Sequence, residues 1–492
     1  MTTTAAGDAA VARLNKATEA FEKIITGASN QVVDVPGYGN QPTLAARVDE
    51  RLDETTATAA AEADRSRDEA DRATTQATAA ANSVTLATAE YNKAKTQADR
   101  AQSEADRAAQ ITGLEDVSDA VALAALPLPD VWAPLSDSLR LITGYGRDVL
   151  VGSDVVARMV NYWRSSTATY IGKDGLLKTA AANEPRFEKE GLLIEGQSTN
   201  LWPSQTAVDS LNAAPASTSL PDGTTGNIYK ITPTPGAFAY VRKNFAAQSG
   251  NHTLSCYAKL DNGSMAMPSL YCGSNGSYFT KLTGVYVGNG WWRMQAALLD
   301  PFGNIGFGYH FAATETTPVW VCNFQLEALP FASSYIPTAG AAATRAVDQA
   351  TLPQSLNLGE SQLGFSLAVE FDSVNTGGGR LLELSDQSSI ILDGASLIVR
   401  HVGREVYGIN APLGQRHHLA YSVAADGALT VALNGKLLAP QSRSGSYPSS
   451  KSTIALGNRI VTIDRTIYGH LRDLKIWTKK PLTADQLKVA SA

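Results

Sequence analysis

The pattern of apolar and polar positions divides the chain into two unlike halves. From Leu44 to Thr112 there is neither glycine nor proline, and Ala, Glu, Arg, Gln, Asp and Thr dominate. Alanine is the strongest helix former, so this stretch predicts one long helix. The sequence EADR occurs at Glu62–Arg65 and again at Glu69–Arg72, and ADR returns at Ala98–Arg100 and Ala105–Arg107. Stepping by seven from Ala63 reaches Ala70, Ala77, Val84, Tyr91, Ala98 and Ala105. Three residues further on runs a second series, Ser66, Ala73, Ala80, Ala87, Ala94, Ala101 and Ala108. Two small seam positions in every heptad predict a coiled coil. The alternatives are a lone solvated helix and a disordered Ala/Thr linker, although disorder would not preserve the phase. The seam is thin, since burial is worth only about 0.8 kcal/mol per methylene-sized group, so other parts of the chain must help to hold an oligomer. As one helix the stretch would span about 100 Å.

Ahead of it, Val11, Leu14, Phe21 and Ile24 recur at near-helical spacing, and Gly27 stops the pattern where a C-terminal glycine belongs. The segment VVDVPGYGNQPTL then reads as a loop. An apolar helix face too small for its own core needs a partner surface, so residues 1–43 are expected to be a docking module; a frayed tail is the other reading.

Beyond Gly113 the pattern changes. ITGLEDVSDAVALAAL suggests one more short helix, which Pro127, Pro129 and Pro134 end. Short alternating strands and glycine turns follow. Asp426-Gly427 and Asn434-Gly435 bracket Leu429, Val431 and Leu433, and both dipeptides favour tight hairpin turns. Leu419, Tyr421 and Val423 form the preceding strand, and Leu474 and Ile476 lie on a later one. Thr483 and Gln486 have the spacing of a capping box for a final helix. The predicted fold class is an α-helical coiled-coil rod followed by an all-β half with two β-sandwiches of about 140–150 residues each.

Composition narrows the function. The chain has 492 residues, and 47 acidic against 41 basic residues give a net charge of -6, which argues against a nucleic-acid-binding protein. No run approaches the roughly 18 apolar residues of a membrane span, and MTTTAAGDAA lacks the basic and apolar parts of a secretory signal. No membrane insertion is therefore expected. Cys256, Cys272 and Cys322 read as buried thiols, with a Cys256–Cys272 bridge as the alternative.

The segment Arg164 to Trp202, RSSTATYIGKDGLLKTAAANEPRFEKEGLLIEGQSTNLW, resembles one that recurs in bacteriophage tail proteins ahead of a carbohydrate-binding-module-like jelly roll. HTLSCYAKL (His252–Leu260), GNGWWRMQ (Gly288–Gln295) and Phe324–Asp348 resemble that jelly roll. In the last stretch Gln325, Leu326, Glu327, Ser334, Tyr335, Ile336, Pro337, Thr338, Thr344, Arg345 and Asp348 carry the likeness. HHLAYSV, LTVALNGKLL and IYGHLRDLKIW are similar, more loosely, to concanavalin- or laminin-G-like sandwiches. The resemblance implies a tail fibre or tailspike subunit, assembled in a host cytoplasm, located on the virion and commonly homotrimeric. It would bind other tail proteins through its N-terminus (Val11, Leu14, Phe21, Ile24) and a bacterial surface polysaccharide at the far end. The implied organisation is an attachment module at 1–43, a coiled coil at 44–112, a neck at 113–200, a jelly roll at 201–350 and a lectin-like sandwich at 351–492.

No catalytic motif is present: there is no Gly-x-Ser-x-Gly, P-loop or His-Glu-x-x-His. The six histidines are scattered, and His417 and His418 would face opposite sides of one strand, so neither metal nor cofactor is expected. Glu184, Glu188, Glu190 and Glu195 read as a charged linker rather than a glycosidase pair. Glu327 and Arg345 read as an internal ion pair or hydrogen-bonded corner. Trp291 and Trp292 should alternate, one in the core and one outside. Sugar faces stack on aromatic rings, so the expected carbohydrate contacts are Tyr271, Tyr278, Trp292 and Tyr309 in the first sandwich and Arg400, His401 and Tyr407 in the second. Three roles stand in order of expectation: a non-catalytic receptor-binding fibre, a purely structural appendage or adaptor, and a depolymerising tailspike.

Overall fold

The computed structural model describes residues 5–112, 126–204, 208–274, 277–358, 364–385, 388–401, 403–439, 441–444, 453–459, 462 and 464–492. The chain forms two compact units, Met1–Ala109 and Gln110–Ala492. The expected short helix after Gly113 falls almost wholly on 113–125, outside the described residues.

In the first unit the helix Ala5–Thr26 is followed by a hairpin and then by the helix Leu44–Thr112. The expected loop between them is therefore a β-hairpin, Val32–Val35 against Gly39–Pro42, with Gly37 and Gly39 at positive φ in the turn. Thr43 joins the three pieces. Its hydroxyl donates to the Ala28 carbonyl (2.9 Å) and accepts the Ala46 N–H (3.1 Å), which caps the long helix. Gly27 has to be glycine, because a Cβ there would stand 2.4 Å from the Lys23 carbonyl oxygen and 2.6 Å from Thr43 Cγ2.

The long helix is continuous, and every residue from Arg47 to Ser83 is exposed. Ala63, Ala70 and Ala77 share one exposed face, while the side chains of Val84, Tyr91, Ala98 and Ala105 lie outside the described part. Between Arg47 and Ser83 buried apolar area contributes nothing to this helix as a single strand. Its own support is local: alanine propensity, the Arg51–Glu54 and Arg67–Asp64 pairs, and hydroxyls such as Thr74 and Thr78 bonded to carbonyls one turn back. Val11, Leu14 and Phe21 of the first helix are exposed and Ile24 is half-buried.

The second unit holds two antiparallel sandwiches. The first pairs a six-stranded sheet with a five-stranded one. Trp202, Phe307, Phe324, Cys256 and Cys272 lie between the two sheets. All three cysteines are buried free thiols, so the alternative of a Cys256–Cys272 bridge does not hold. The second sandwich pairs two eight-stranded sheets over a core that includes Phe365, Leu367, Tyr421 and Ile476. Its hairpin turn at Asn434-Gly435 has positive φ at both residues (49° and 76°). Thr483 and Gln486 close the capping box of the helix Ala484–Ala490.

The linear order of neck, jelly roll and lectin-like sandwich needs a correction. Val131–Ala133 and Gly191–Ile194 pair with Gly469–Trp477, and Asn161–Trp163 pairs with Gln349–Pro353. The described part of 113–200 thus supplies strands to the second sandwich, and the first sandwich is an insertion within it. Apolar strands such as Gly191–Ile194, buried at every residue, cannot stay in a solvated connector.

Candidate functional site

Where the chain leaves the second sandwich and returns to it, Ser198–Asn200 pairs with Ala343–Arg345. Around this crossing lie three arginines and three carboxylates, all buried: Arg164, Arg186, Arg345, Glu195, Glu327 and Asp348. Arg186 bonds Glu195 at 2.6 Å and Asp348 at 2.5 Å, Arg164 bonds Asp348 at 3.0 Å, and Arg345 stands 3.0 Å from Glu195. Glu327 accepts from Ser198, Gln325 and Ser333. Burial pushes the Glu195 carboxyl up, but Arg345, Arg186 and the hydrogen bonds from Ser334 outweigh it and hold the pKa down to about 2. Glu327, Arg345 and Asp348, which carry part of the family resemblance, are therefore structural: they are buried and tie the inserted sandwich to its host. The expected corner at Glu327 and Arg345 is part of this knot.

The four clustered glutamates have separate duties. Glu184 accepts the Ala181 N–H (2.7 Å), Glu188 accepts the Ile171 N–H (2.6 Å), and Glu195 belongs to the knot. Glu188 also meets His470, whose other ring nitrogen lies 3.0 Å from Asp372. Burial disfavours the His470 cation, yet the hydrogen bonds to Asp372 and Glu188 prevail and hold its pKa up to about 10. Glu188, Glu190 and His470 have the make-up of a metal site, which sequence reasoning missed because the residues are remote in the chain.

The expected sugar contacts fare unequally. Tyr309 is 1% exposed in the first core, and His401 is 0% exposed with its ring against Phe365; neither can stack on a sugar, because strand alternation turns each of them inward. Arg400 pairs with Glu405 at 3.1 Å, and Tyr407 is half-buried on the next strand. Tyr271 is half-buried, its hydroxyl donating to Glu315 (2.9 Å). The side chain of Tyr278 lies outside the described part.

Trp291 and Trp292 do take opposite faces. Trp291 is buried with Tyr257, Trp320 and Tyr335, whereas Trp292 reaches the sandwich rim. There it pairs across strands with Tyr286, ring centroids 5.4 Å apart and interplanar angle 67°. The Trp292 indole N–H donates to the Met265 carbonyl (3.1 Å), and the Gly290 N–H donates to the Tyr286 hydroxyl (3.2 Å), so both rings are fixed. Tyr286 is 40% exposed, Met265 42% and Met267 39%. This rim is an ordered apolar surface on an edge strand, suited to a flat face with C–H groups. Tyr286 escaped sequence reasoning because nothing in its strand marks it as an edge. Elsewhere, a cavity of ≈ 140 Å³ lined by Glu370, His418, Lys475 and Trp477 is smaller than the roughly 300 Å³ of an ordinary small-molecule site.

No protein-family model matches the chain, and no curated protein matches it. Among solved structures, a heptameric SAP-like pentraxin from Limulus polyphemus is 19% identical, covering 26% of this chain and 70% of its own, with a TM-score of 0.20. A Trypanosoma rangeli sialidase is 10% identical over 56% of this chain and 52% of its own, with a TM-score of 0.22. The LG1-3 region of the laminin alpha2 chain is 11% identical over 70% and 72%, with a TM-score of 0.18. Likenesses this weak carry no argument, and the β-sandwich architecture rests on the sheets described above.

Proposed function

We propose that this chain is a bacteriophage tail-fibre subunit that attaches to a host-surface glycan without cutting it. In this reading the long helix is one strand of a parallel homotrimeric coiled coil, residues 1–43 dock onto other tail proteins, and the β half points outward. The observation that supports the reading is the Tyr286–Trp292 rim, a hydrogen-bond-fixed aromatic pair on the first sandwich in which Tyr286 is exposed and Trp292 half-buried. A sugar gives up strong hydration to bind such a surface, so single-site affinity is weak. Linked copies in an oligomer restore it through effective concentration.

The test is adhesion of the full chain to susceptible cells, comparing wild type with Tyr286→Ala. Losing one stacking ring worth about 1 kcal/mol lowers each site's affinity about fivefold, and the oligomer's adhesion by more. Equal adhesion by the variant would remove the rim from the reading. A purely structural adaptor is favoured by a different observation, the hairpin Arg147–Val151/Asp154–Met159, on which Leu150, Val151, Val155 and Val156 are exposed. Retention of tail proteins instead of cells would support it.

A further inference from the structure

His470 lies on the strand Gly469–Trp477, and Glu188 lies at the end of Phe187–Glu188, which pairs with Gly191–Ile194. On one side of the imidazole, Nδ1 is 3.0 Å from both Asp372 carboxylate oxygens. This contact fixes the ring and aims Nε2 at Glu188 Oε2, 3.1 Å away. The other Glu188 oxygen is occupied by the Ile171 N–H, so its free oxygen is oriented as well. The ligand atoms of Glu188, Glu190 and His470 all lie within 4.8 Å of one another. Among the described residues the half-buried Glu190 side chain has no ion pair or hydrogen bond.

We propose that Glu188, Glu190 and His470 bind one divalent transition-metal ion of the Zn2+ type, with Asp372 as the carboxylate that orients the histidine. A carboxylate on the far nitrogen of a ligating histidine is the arrangement that fixes its tautomer and strengthens it as a donor. The spacing fits. Two ligands about 2.1 Å from a tetrahedral ion stand about 3.4 Å apart, a few tenths of an ångström beyond the present 3.1 Å between Nε2 and Glu188. The Glu190 carboxylate, within 4.8 Å of the other two ligand atoms, has to close by no more than about 1.4 Å, and solvent completes the fourth position. The charge fits too: His470 gives up to solvent the proton that Nε2 shares with Glu188, and a divalent ion that takes its place leaves the three carboxylates nearer neutrality than the single proton does. A nitrogen donor selects against Ca2+ and Mg2+, which take oxygen ligands. The bound ion would pin the hairpin ahead of the inserted jelly roll to a central strand of the second sandwich.

The test uses the full chain without a polyhistidine tag, freed of metal by a chelator and titrated calorimetrically with ZnCl2, CaCl2 and MgCl2. Wild type is expected to take up one Zn2+ per chain, to gain Tm on doing so, and to ignore Ca2+ and Mg2+. Glu190→Ala removes a ligand that holds nothing else, so the metal-free Tm should stay unchanged while Zn2+ affinity falls at least tenfold. With Co2+ as probe, wild type should show the visible absorption of a tetrahedral site and Glu190→Ala should not. No Zn2+ uptake, equal uptake by Glu190→Ala, or Ca2+ competing on equal terms would each overturn the proposal.

Discussion

Replacing Glu195 by Gln keeps the shape of the buried knot and removes one of its three negative charges. The carboxylate takes Arg186 at 2.6 Å, Arg345 at 3.0 Å, the Ser334 N–H at 2.7 Å and the Ser334 hydroxyl at 2.6 Å. An amide of the same size turns a donor group toward cations and leaves an uncompensated buried charge, at a cost of about 3–5 kcal/mol. A second route gives a similar figure: depression of the carboxyl from 4.5 to about 2 corresponds to about 3 kcal/mol. All seven tryptophans lie between Trp132 and Trp477, so their fluorescence reports the β half alone. A unit of about 380 residues has an unfolding entropy of about 0.8 kcal/mol/K, so Tm should fall by about 4–6 °C at pH 7. The pH dependence carries a sign. A depressed folded pKa stabilises above pH 4.5, and that contribution is lost as pH falls toward 2. The Tm difference between wild type and Glu195→Gln should therefore close over that interval. A variant within about 1 °C of wild type at pH 7, or a gap that persists at pH 2, would refute the role of this knot.

Placing glutamate at both Ala70 and Ala77 sets like charges along the proposed seam, and sedimentation equilibrium should show weaker association than wild type; a monomeric wild type at micromolar concentration would contradict the seam itself. Deleting residues 1–43 should leave the tryptophan-reported transition intact and yield particles that lack the chain, whereas normal incorporation would reverse the proposed polarity. Burial pushes the Cys272 thiol up to about 11 and those of Cys256 and Cys322 further. A thiol reagent at pH 8 should therefore find none of the three until the protein is unfolded, and rapid labelling of the native chain would count against the cores described.

Local rules made the helices legible. Absence of Gly and Pro defined Leu44–Thr112, and Thr483 with Gln486 defined the last helix start. Turn chemistry at Asn434-Gly435 located one hairpin correctly, while Pro36-Gly37 concealed another, because four-residue strands carry too little alternation to register. Nesting of the first sandwich was not legible. It depends on pairings such as Leu192 with Leu471, which no local pattern encodes. The same limit applied to the sites. Tyr309 and His401 have the right chemistry for sugar contact, but the inward face of a strand is decided by register. Glu188 and His470 come together only through the sheet.

The measurement closest to the proposed role as a phage fibre is adsorption of a phage that carries this chain to its host in the presence of soluble full chain. The account predicts concentration-dependent inhibition by wild type, weaker inhibition by Tyr286→Ala, and no oligosaccharide released from the purified surface glycan. Undiminished adsorption at saturating wild-type protein, or release of oligosaccharides, would contradict it.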